Sequence, residues 1–552
     1  MITATSASHL LRVDFLPTQV LGLPGRLGMT FAPGKKDRGR EVIWNRDLDQ
    51  DLDRLRHVFC ADGLVSLVQD HELANLGIAE LVNRAQAHGL WVVRFGIPDR
   101  SIPQDKDAFG TLVQATLEKL RRGENVVVHC RGGLGRAGML VSCCLVVLGH
   151  TPQYAIAQAR AARPGAVETG QQEQFVAQFA RERASVLHRI LPPSPAPAIP
   201  LERVRATLLG GALGDALGYP IEFENSSTRL LEQYGRAAPS TLAFAGPVHF
   251  SDDTQMTLFT AWGLVRGLTN ARHGAAPDLV RSVQHALLQW YETQIGTGVK
   301  KHCGWLFAVE GLHVPRAPGM TCMSALREQA AGGRMPTIDQ VSNNSKGCGA
   351  VMRAAPCGLG AASRPQAFFL ARDTGALTHG HPSGYLSGAY LAALIWDLVR
   401  GADWFTAMQN ANALLQQESD HEELFRCIQA ARQTAANTRC DAASLERLGG
   451  GWVGEQALAI ALACCLQTPC GDPSAVAETL WRSVAHGGDS DSTGSIAGNL
   501  LGARFGLSAL PSGWLSELEM ADVIERMASD LHAAAHLGTT FDLVAYPNCE
   551  GS

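Results

Sequence analysis

The sequence predicts a multidomain chain, an α/β layer followed by an all-α domain. Three features predict it. The segment LPPSPAPAIP at 191–200 carries five prolines in ten residues, which excludes a helix or an interior strand and favours an extended spacer. Before it, short β-branched runs alternate with helical periodicities. After it, long Ala-, Leu- and Gly-rich periodicities follow one another without a convincing strand. At 552 residues the chain exceeds one ordinary core, so several domains are expected. We divide it into a domain at 1–190, the spacer at 191–200, a second domain at 201–540 and a tail at 541–552.

In the first domain, 64–68 reads as a strand, 72–88 as a helix, 90–95 as a strand, 108–122 as a helix, 126–129 as a strand and 137–148 as a helix. Strands that alternate with helices imply a largely parallel sheet. In the second domain, helices are expected over 254–265 (with Ser251 as its cap), 278–293, 384–400, 455–465 and 494–505. Glycines at 494, 498, 502 and 506 cost helix propensity, about 1 kcal/mol each. The same spacing recurs at Gly210, Gly214 and Gly218. Close helix–helix contact would compensate, and would bring the helix starts and their carboxylates to one place.

Composition narrows the function. The net charge of −5 argues against generic nucleic-acid binding. The most apolar run, 139–148, is about half the ~20 residues that cross a bilayer, so no membrane association is expected. The N-terminus lacks a basic start and a sustained apolar stretch, so no secretory signal is read there. The 14 cysteines are scattered and show no zinc spacing; Cys143–Cys144 and Cys464–Cys465 read as buried thiols. A reducing cytoplasm is the expected compartment.

Chemistry concentrates in two places. The first is Glu124-Asn-Val-Val-Val-His-Cys130-Arg-Gly-Gly-Leu-Gly-Arg136: a β-branched run ends at Cys130, a glycine-rich loop follows, and a helix begins. Such a loop turns the amides of Arg131, Gly132, Gly133, Leu134 and Gly135 towards one point and aims a helix N-terminus there, which makes a phosphate cradle. Cys130 in that positive field favours its thiolate form. Arg136 can hold two phosphate oxygens with its planar fork. These parts describe thiolate attack on a phosphate ester. Asp99, in a loop about thirty residues earlier, is the candidate general acid. His129 reads as structural.

The second place is a set of separated carboxylates: Asp215 and Glu222, then Asp252 and Asp253, then Asp489 and Asp491. Adjacent carboxylates repel unless a cation neutralises them, and hard oxygen donors suit magnesium, calcium or manganese better than zinc. Ser251 as a cap places both of the following aspartates in a first helical turn, where negative charge is favoured.

Cys-x5-Arg after a Val-rich strand resembles the tyrosine and dual-specificity phosphatase superfamily. The surrounding text (PGK at 33–35, WNRDLDQDLDRL, HCRGGLGR and RPGAVETGQQEQFV) is most similar to its cyclin-dependent-kinase-inhibitor-3-like branch, over roughly 10–185. One residue departs from the pattern: Ala137 stands where the family has Ser or Thr, whose hydroxyl helps break down the cysteinyl-phosphate. That leaves open a phosphate-binding module with weak turnover. In the second half, GDALGYPIEF, FSDDTQM, SKGCGAVMRAAPCGLG, THGHPSGYLSGA and HGGDSDSTGSIAGNLLGARFG occur in order and resemble the ADP-ribosylglycohydrolase family over about 203–510. The resemblance implies an all-α fold, two magnesium ions and cleavage at ribose C1″ of ADP-ribose. It implies metal ligation by Ser251, Asp252, Asp253, Asp489, Asp491 and Ser492, with Glu222 near the scissile bond. It implies a diphosphate cradle at 345–352, with Ser345, Gly347, Cys348 and Gly349, and a nucleotide pocket with His379 and His381.

The expected protein is therefore a bifunctional hydrolase. Its substrates are an ADP-ribosylated protein or small molecule, arginine-linked as the first reading, and a phosphorylated protein or metabolite. Two alternatives keep both folds: a glycohydrolase with a phosphate-recognition module, and an ADP-ribose sensor.

Overall fold

The computed structural model describes residues 2–21, 23–38, 42–148, 150–180, 182, 198–273, 278–296, 304–437 and 439–547. Most of the expected spacer at 191–200 and the end of the tail lie outside the described residues. The chain splits into two compact units, Met1–His188 and Arg189–Ser552.

In the first unit the strands are β1 (Ile2–Ala4), β2 (Asp14–Phe15), β3 (Leu27–Phe31), β4 (Lys36–Arg38), β5 (Val42–Asn45), β6 (Gly63–Ser66), β7 (Trp91–Arg94) and β8 (Val126–Cys130). The main sheet has the order β2-β3-β8-β6-β7, parallel except for β2. All five residues of β8 are buried, as an apolar run in a parallel sheet covered on both faces should be. A smaller sheet, β1-β5-β4, stands apart. The strands before residue 60 were not read from the sequence; β3, the sequence LGMTF, has neither alternation nor a β-branched run.

The helix expected over 72–88 is two helices, α1 (Asp70–Asn75) and α2 (Leu81–Ala87). Gly77 separates them at φ +66°, a left-handed conformation that ends a helix, and the Leu76 carbonyl turns away to accept from the Lys36 amide at 2.8 Å. The next helices, α3 (Lys106–Arg121) and α4 (Gly135–Val147), match the expected ones to within two residues.

The second unit is helical, and its described residues hold isolated β-bridges rather than strands. Four helices position its site: α5 (Leu201–Gly218), α6 (Asp252–Arg272), α7 (Pro382–Leu398) and α8 (Ser490–Phe505). α5 and α8 run antiparallel in near contact along the glycine positions. A Cβ built on Gly214 would lie 1.9 Å from the Gly494 carbonyl oxygen, and one on Gly498 1.8 Å from that of Gly210. Only glycine allows this approach. It sets the end of α5 against Ser490, at the start of α8.

Candidate active sites

In the α/β unit, Cys130 ends the central strand and is 3% exposed. The loop after it curls over the sulfur, and the Gly133 amide donates to Cys130 Sγ at 3.2 Å. Gly133 has φ +72°, and a Cβ there would meet the Thr30 carbonyl at 2.3 Å, so the curl requires glycine. Arg136 sits in the first turn of α4, 1% exposed. Its fork donates to both Glu72 oxygens at 2.6 and 3.0 Å, to the Ile97 carbonyl at 2.7 Å and to Asp99 Oδ1 at 2.8 Å. Burial alone would raise the Glu72 carboxyl, but the hydrogen bonds from Arg136 and the Gln69 amide outweigh it and hold the group below its usual value.

The structure thus brings Cys130, Arg136 and Asp99 together and adds Glu72. No motif pointed to Glu72: its partner lies 64 residues away, and its own neighbours read as an ordinary acidic first turn. Arg131 projects from the loop and pairs with Asp37 at 3.0 and 2.9 Å. The Gly132 carbonyl accepts from Arg163 at 3.0 Å. Leu134 and Gly135 lead into α4. His129 is fully buried, which pushes its pKa down to about 4, so it is neutral and structural. Ala137 is buried and contributes no hydroxyl.

In the helical unit, one cavity is lined by Glu222, Asp252, Asp253, Asp489, Asp491 and Ser492, together with Gly347, Cys348, Gly349, Met352, His379 and Trp452. The glycine contacts explain the convergence: Glu222 lies four residues beyond the end of α5, and Asp489 caps α8. Oxygens of Glu222, Asp489 and Asp491 lie within 4.8 Å of one another. The start of α6 is tied to α5 by Asp215, which accepts from the Ser251 amide at 2.8 Å, the Thr254 amide at 3.0 Å and Thr254 Oγ1 at 2.5 Å. Asp215 is an anchor outside the cavity lining.

These carboxylates are electrostatically unsatisfied. Burial first, and then the neighbouring acids, raise Glu222 to about 9 and lift Asp253 well above the carboxylate range. For Asp252 and Asp491 burial again leads, with neighbouring acids adding to it and amide hydrogen bonds opposing it, and both also stand well above that range. Asp489 rises to about 6, burial outweighing its hydrogen bonds. Glu222 Oε2 and Asp253 Oδ2 are buried without a hydrogen-bond partner. So many buried acids cannot ionise together at neutral pH without cationic charge, and an all-oxygen donor set fits a hard divalent cation.

Some expected site residues do other work. Ser251 Oγ accepts from the Asp253 amide at 3.2 Å as the α6 cap and does not line the cavity. His381 Nδ1 accepts from the Ser383 amide and caps α7, outside the lining. Ser345 also lies outside it, sharing a hydrogen bond with Thr321 and accepting from the Gly347 amide. The Cys348 amide donates to the Trp452 carbonyl. The amides of Gly347 and Cys348 are therefore already bonded within the protein. His379 does line the cavity; burial and then Arg353 push it down to about 3, so it is neutral. Cys348 Sγ donates to Asp489 Oδ2 at 2.8 Å. Met352, the last residue of the expected cradle, also lines the cavity, as do Trp452 and the 317–322 segment without Pro318, which no sequence signal marked.

Residues 196–539 match a sequence model described as ADP-ribosylglycohydrolase, and residues 65–176 match one described as Swiss Army Knife protein, DSP-PTPase phosphatase domain. The chain is 27% identical to ADP-ribosylhydrolase ARH3 of Danio rerio, over 61% of this chain and 92% of that one. It is 26% identical to ADP-ribosyl-[dinitrogen reductase] glycohydrolase of Rhodospirillum rubrum, over 58% and 91%. Its first unit is 26% identical to cyclin-dependent kinase inhibitor 3 of Rattus norvegicus, over 32% of this chain and 82% of the relative.

Proposed function

The chain belongs to the ADP-ribosylglycohydrolase family and carries a phosphatase-type domain before it; on that premise we propose that it is a bifunctional hydrolase. The helical unit cleaves the bond between ribose C1″ of ADP-ribose and its acceptor, with arginine-linked ADP-ribose as the first substrate. The observation that carries this reading is the meeting of Glu222, Asp252, Asp253, Asp489, Asp491 and Ser492 at one cavity. Asp252, Asp253, Asp489, Asp491 and Ser492 would hold two magnesium ions, with Ser251 behind them at the helix start. When bound, the ions neutralise the carboxylates and polarise the ribose hydroxyls.

Glu222 is the proton carrier. In the cation-free site burial and the neighbouring acids favour a proton on the Glu222 carboxyl, and a proton held there can pass to the departing acceptor nitrogen as the C1″–N bond breaks. The water oxygen then bonds to C1″, and its proton returns to Glu222. Neutral His379 and the Gly347–Gly349 turn shape the wall against the nucleotide. Lys346, bonded to Glu423 at 2.7 Å and Glu455 at 2.6 Å, fixes that turn.

The α/β unit is a cysteine-dependent phosphatase. Cys130 attacks phosphorus, a P–S bond forms, the P–O bond breaks, and Asp99 protonates the leaving oxygen. Water then attacks phosphorus and frees the thiolate. Arg136, held by Glu72, keeps its buried Nε without a hydrogen-bond partner; that donor, joined by the Nη2 that Asp99 releases when it turns to the leaving oxygen, orients the phosphoryl oxygens. Ala137 favours a second reading, a phosphate-recognition module with slow turnover, because no hydroxyl meets the departing sulfur.

A panel of acceptors ADP-ribosylated on arginine, serine, a nucleic-acid end or O-acetyl, with and without magnesium, tests the first activity. The expected result is magnesium-dependent release from arginine that Asp252→Asn abolishes. Release from no acceptor would overturn it. For the second activity, aryl phosphate turnover lost in Cys130→Ser supports an enzyme; binding without turnover supports the recognition module.

A further inference from the structure

On the β3 side of Cys130 stands a cation that the phosphatase chemistry does not use. The turn after β3 is joined to the Cys130 loop: Phe31 pairs with Cys130, and the Ala32 amide donates to the Arg131 carbonyl at 3.4 Å. Lys35 follows in that turn and is 7% exposed. Its ammonium lies 4.4 Å from the Trp44 ring centroid and 4.9 Å from that of Phe31.

The neighbouring cations are neutralised and Lys35 is not. Arg46 has a bidentate partner in Asp51, at 2.8 and 2.7 Å. Arg131 has one in Asp37. Among the described residues, Lys35 Nζ makes no hydrogen bond or ion pair. Two ring faces stabilise an ammonium and give it no carboxylate or carbonyl acceptor. Burial, and then Arg131 and Arg46, pull its pKa down to about 8 against the opposing pull of Asp37 and Cys130; it is therefore still largely protonated at neutral pH and lies within reach of the nucleophile's charge. Glu72 and Asp99 balance Arg136. Of Lys35, Arg46, Arg131 and Arg136, Lys35 alone has no carboxylate partner among the described residues.

We propose that Lys35 is a second anion subsite of the Cys130 nest, so that the preferred substrate is a small molecule with two adjacent phosphates, one held over Cys130 and the other by Lys35. The proposal rests on the reading of the nest as a phosphate site.

The test uses the full chain in excess chelator and reads Cys130 alone. Alkylation of Cys130 by iodoacetate is followed by peptide mass spectrometry, with inorganic phosphate or pyrophosphate as protectant. In the unaltered protein, pyrophosphate should protect at about tenfold lower concentration than phosphate, the worth of one added charge-assisted contact. Lys35→Gln should erase that advantage and leave phosphate protection within about threefold, while Lys35→Arg should keep it and report an intact fold. Equal protection by both anions in the unaltered protein would overturn the subsite and leave the nest standing. Equal loss for both anions in Lys35→Gln would overturn it too, placing Lys35 on the scissile phosphate itself. Protection by neither anion would overturn the nest reading, and the subsite with it.

Discussion

Neutralising Glu222 should make the helical unit less sensitive to alkali. In the cation-free protein the Glu222 carboxyl is raised from 4.5 to about 9. Between those values the folded state keeps a proton that the unfolded chain has lost. Stability contributed by that proton is present at low pH and falls as pH rises towards the folded value, by about 1.4 kcal/mol per pH unit. From pH 6 to pH 8 the loss is about 2.7 kcal/mol, or about 2 kcal/mol after allowance for solvent at the cavity mouth. At about 2 °C per kcal/mol for a unit of this size, that is a fall of about 4 °C. Glu222→Gln has no proton to lose, so its decline over this range should be smaller by that amount. Asp252, Asp253 and Asp491, raised in the same direction, decline in both proteins, so the comparison reads the difference that the Glu222 carboxyl makes. Scanning calorimetry in chelator at pH 6, 7 and 8, on the transition that responds to magnesium, gives the two slopes. Identical slopes for the wild type and Glu222→Gln would refute the electrostatic account of the site.

Other outcomes follow from particular contacts. Gly498→Ala places a methyl 1.8 Å from the Gly210 carbonyl oxygen; parting the helices should cost about 1–3 kcal/mol and weaken magnesium affinity, read by calorimetry and by titration. Arg136→Lys removes the fork that Glu72 holds at both oxygens, and aryl phosphate turnover should fall by about a hundredfold or more, measured as kcat/KM. Ala137→Ser should restore a hydroxyl beside the departing sulfur: the wild type is expected to show a burst of phenolate followed by slow turnover, and the variant a faster steady state.

Much of this architecture was legible because the signals were local. The glycine spacing along Gly210, Gly214 and Gly218 and along Gly494, Gly498 and Gly502 announced a close helix pair, and the pair does carry the carboxylates together. Cys130, its loop and Arg136 lie in one strand–turn–helix unit, whose geometry local sequence dictates. What stayed hidden depends on distant pairing. Glu72 meets Arg136, and Asp37 meets Arg131, only after β4, α1 and β8 are assembled. The break at Gly77 was missed because the periodicity of 72–88 is continuous across it, and the positive φ is visible only in the chain path. Ser251 and His381 show a different limit: a hydroxyl or a ring nitrogen beside a helix start suits a ligand and a cap equally well, and here both act as caps. Lys35 stands out in the sequence only as the end of the PGK run at 33–35, and its lack of a carboxylate partner appears only when the partners of Arg46 and Arg131 are known.

On the reading proposed here, separated carboxylates form one divalent-cation site. Direct titration of the chelator-treated protein with magnesium, followed by calorimetric heat, tests it most directly. Saturable binding is expected, with release of protons above pH 6 and loss in Asp491→Asn. Absence of binding, or binding unchanged by that substitution, would contradict it.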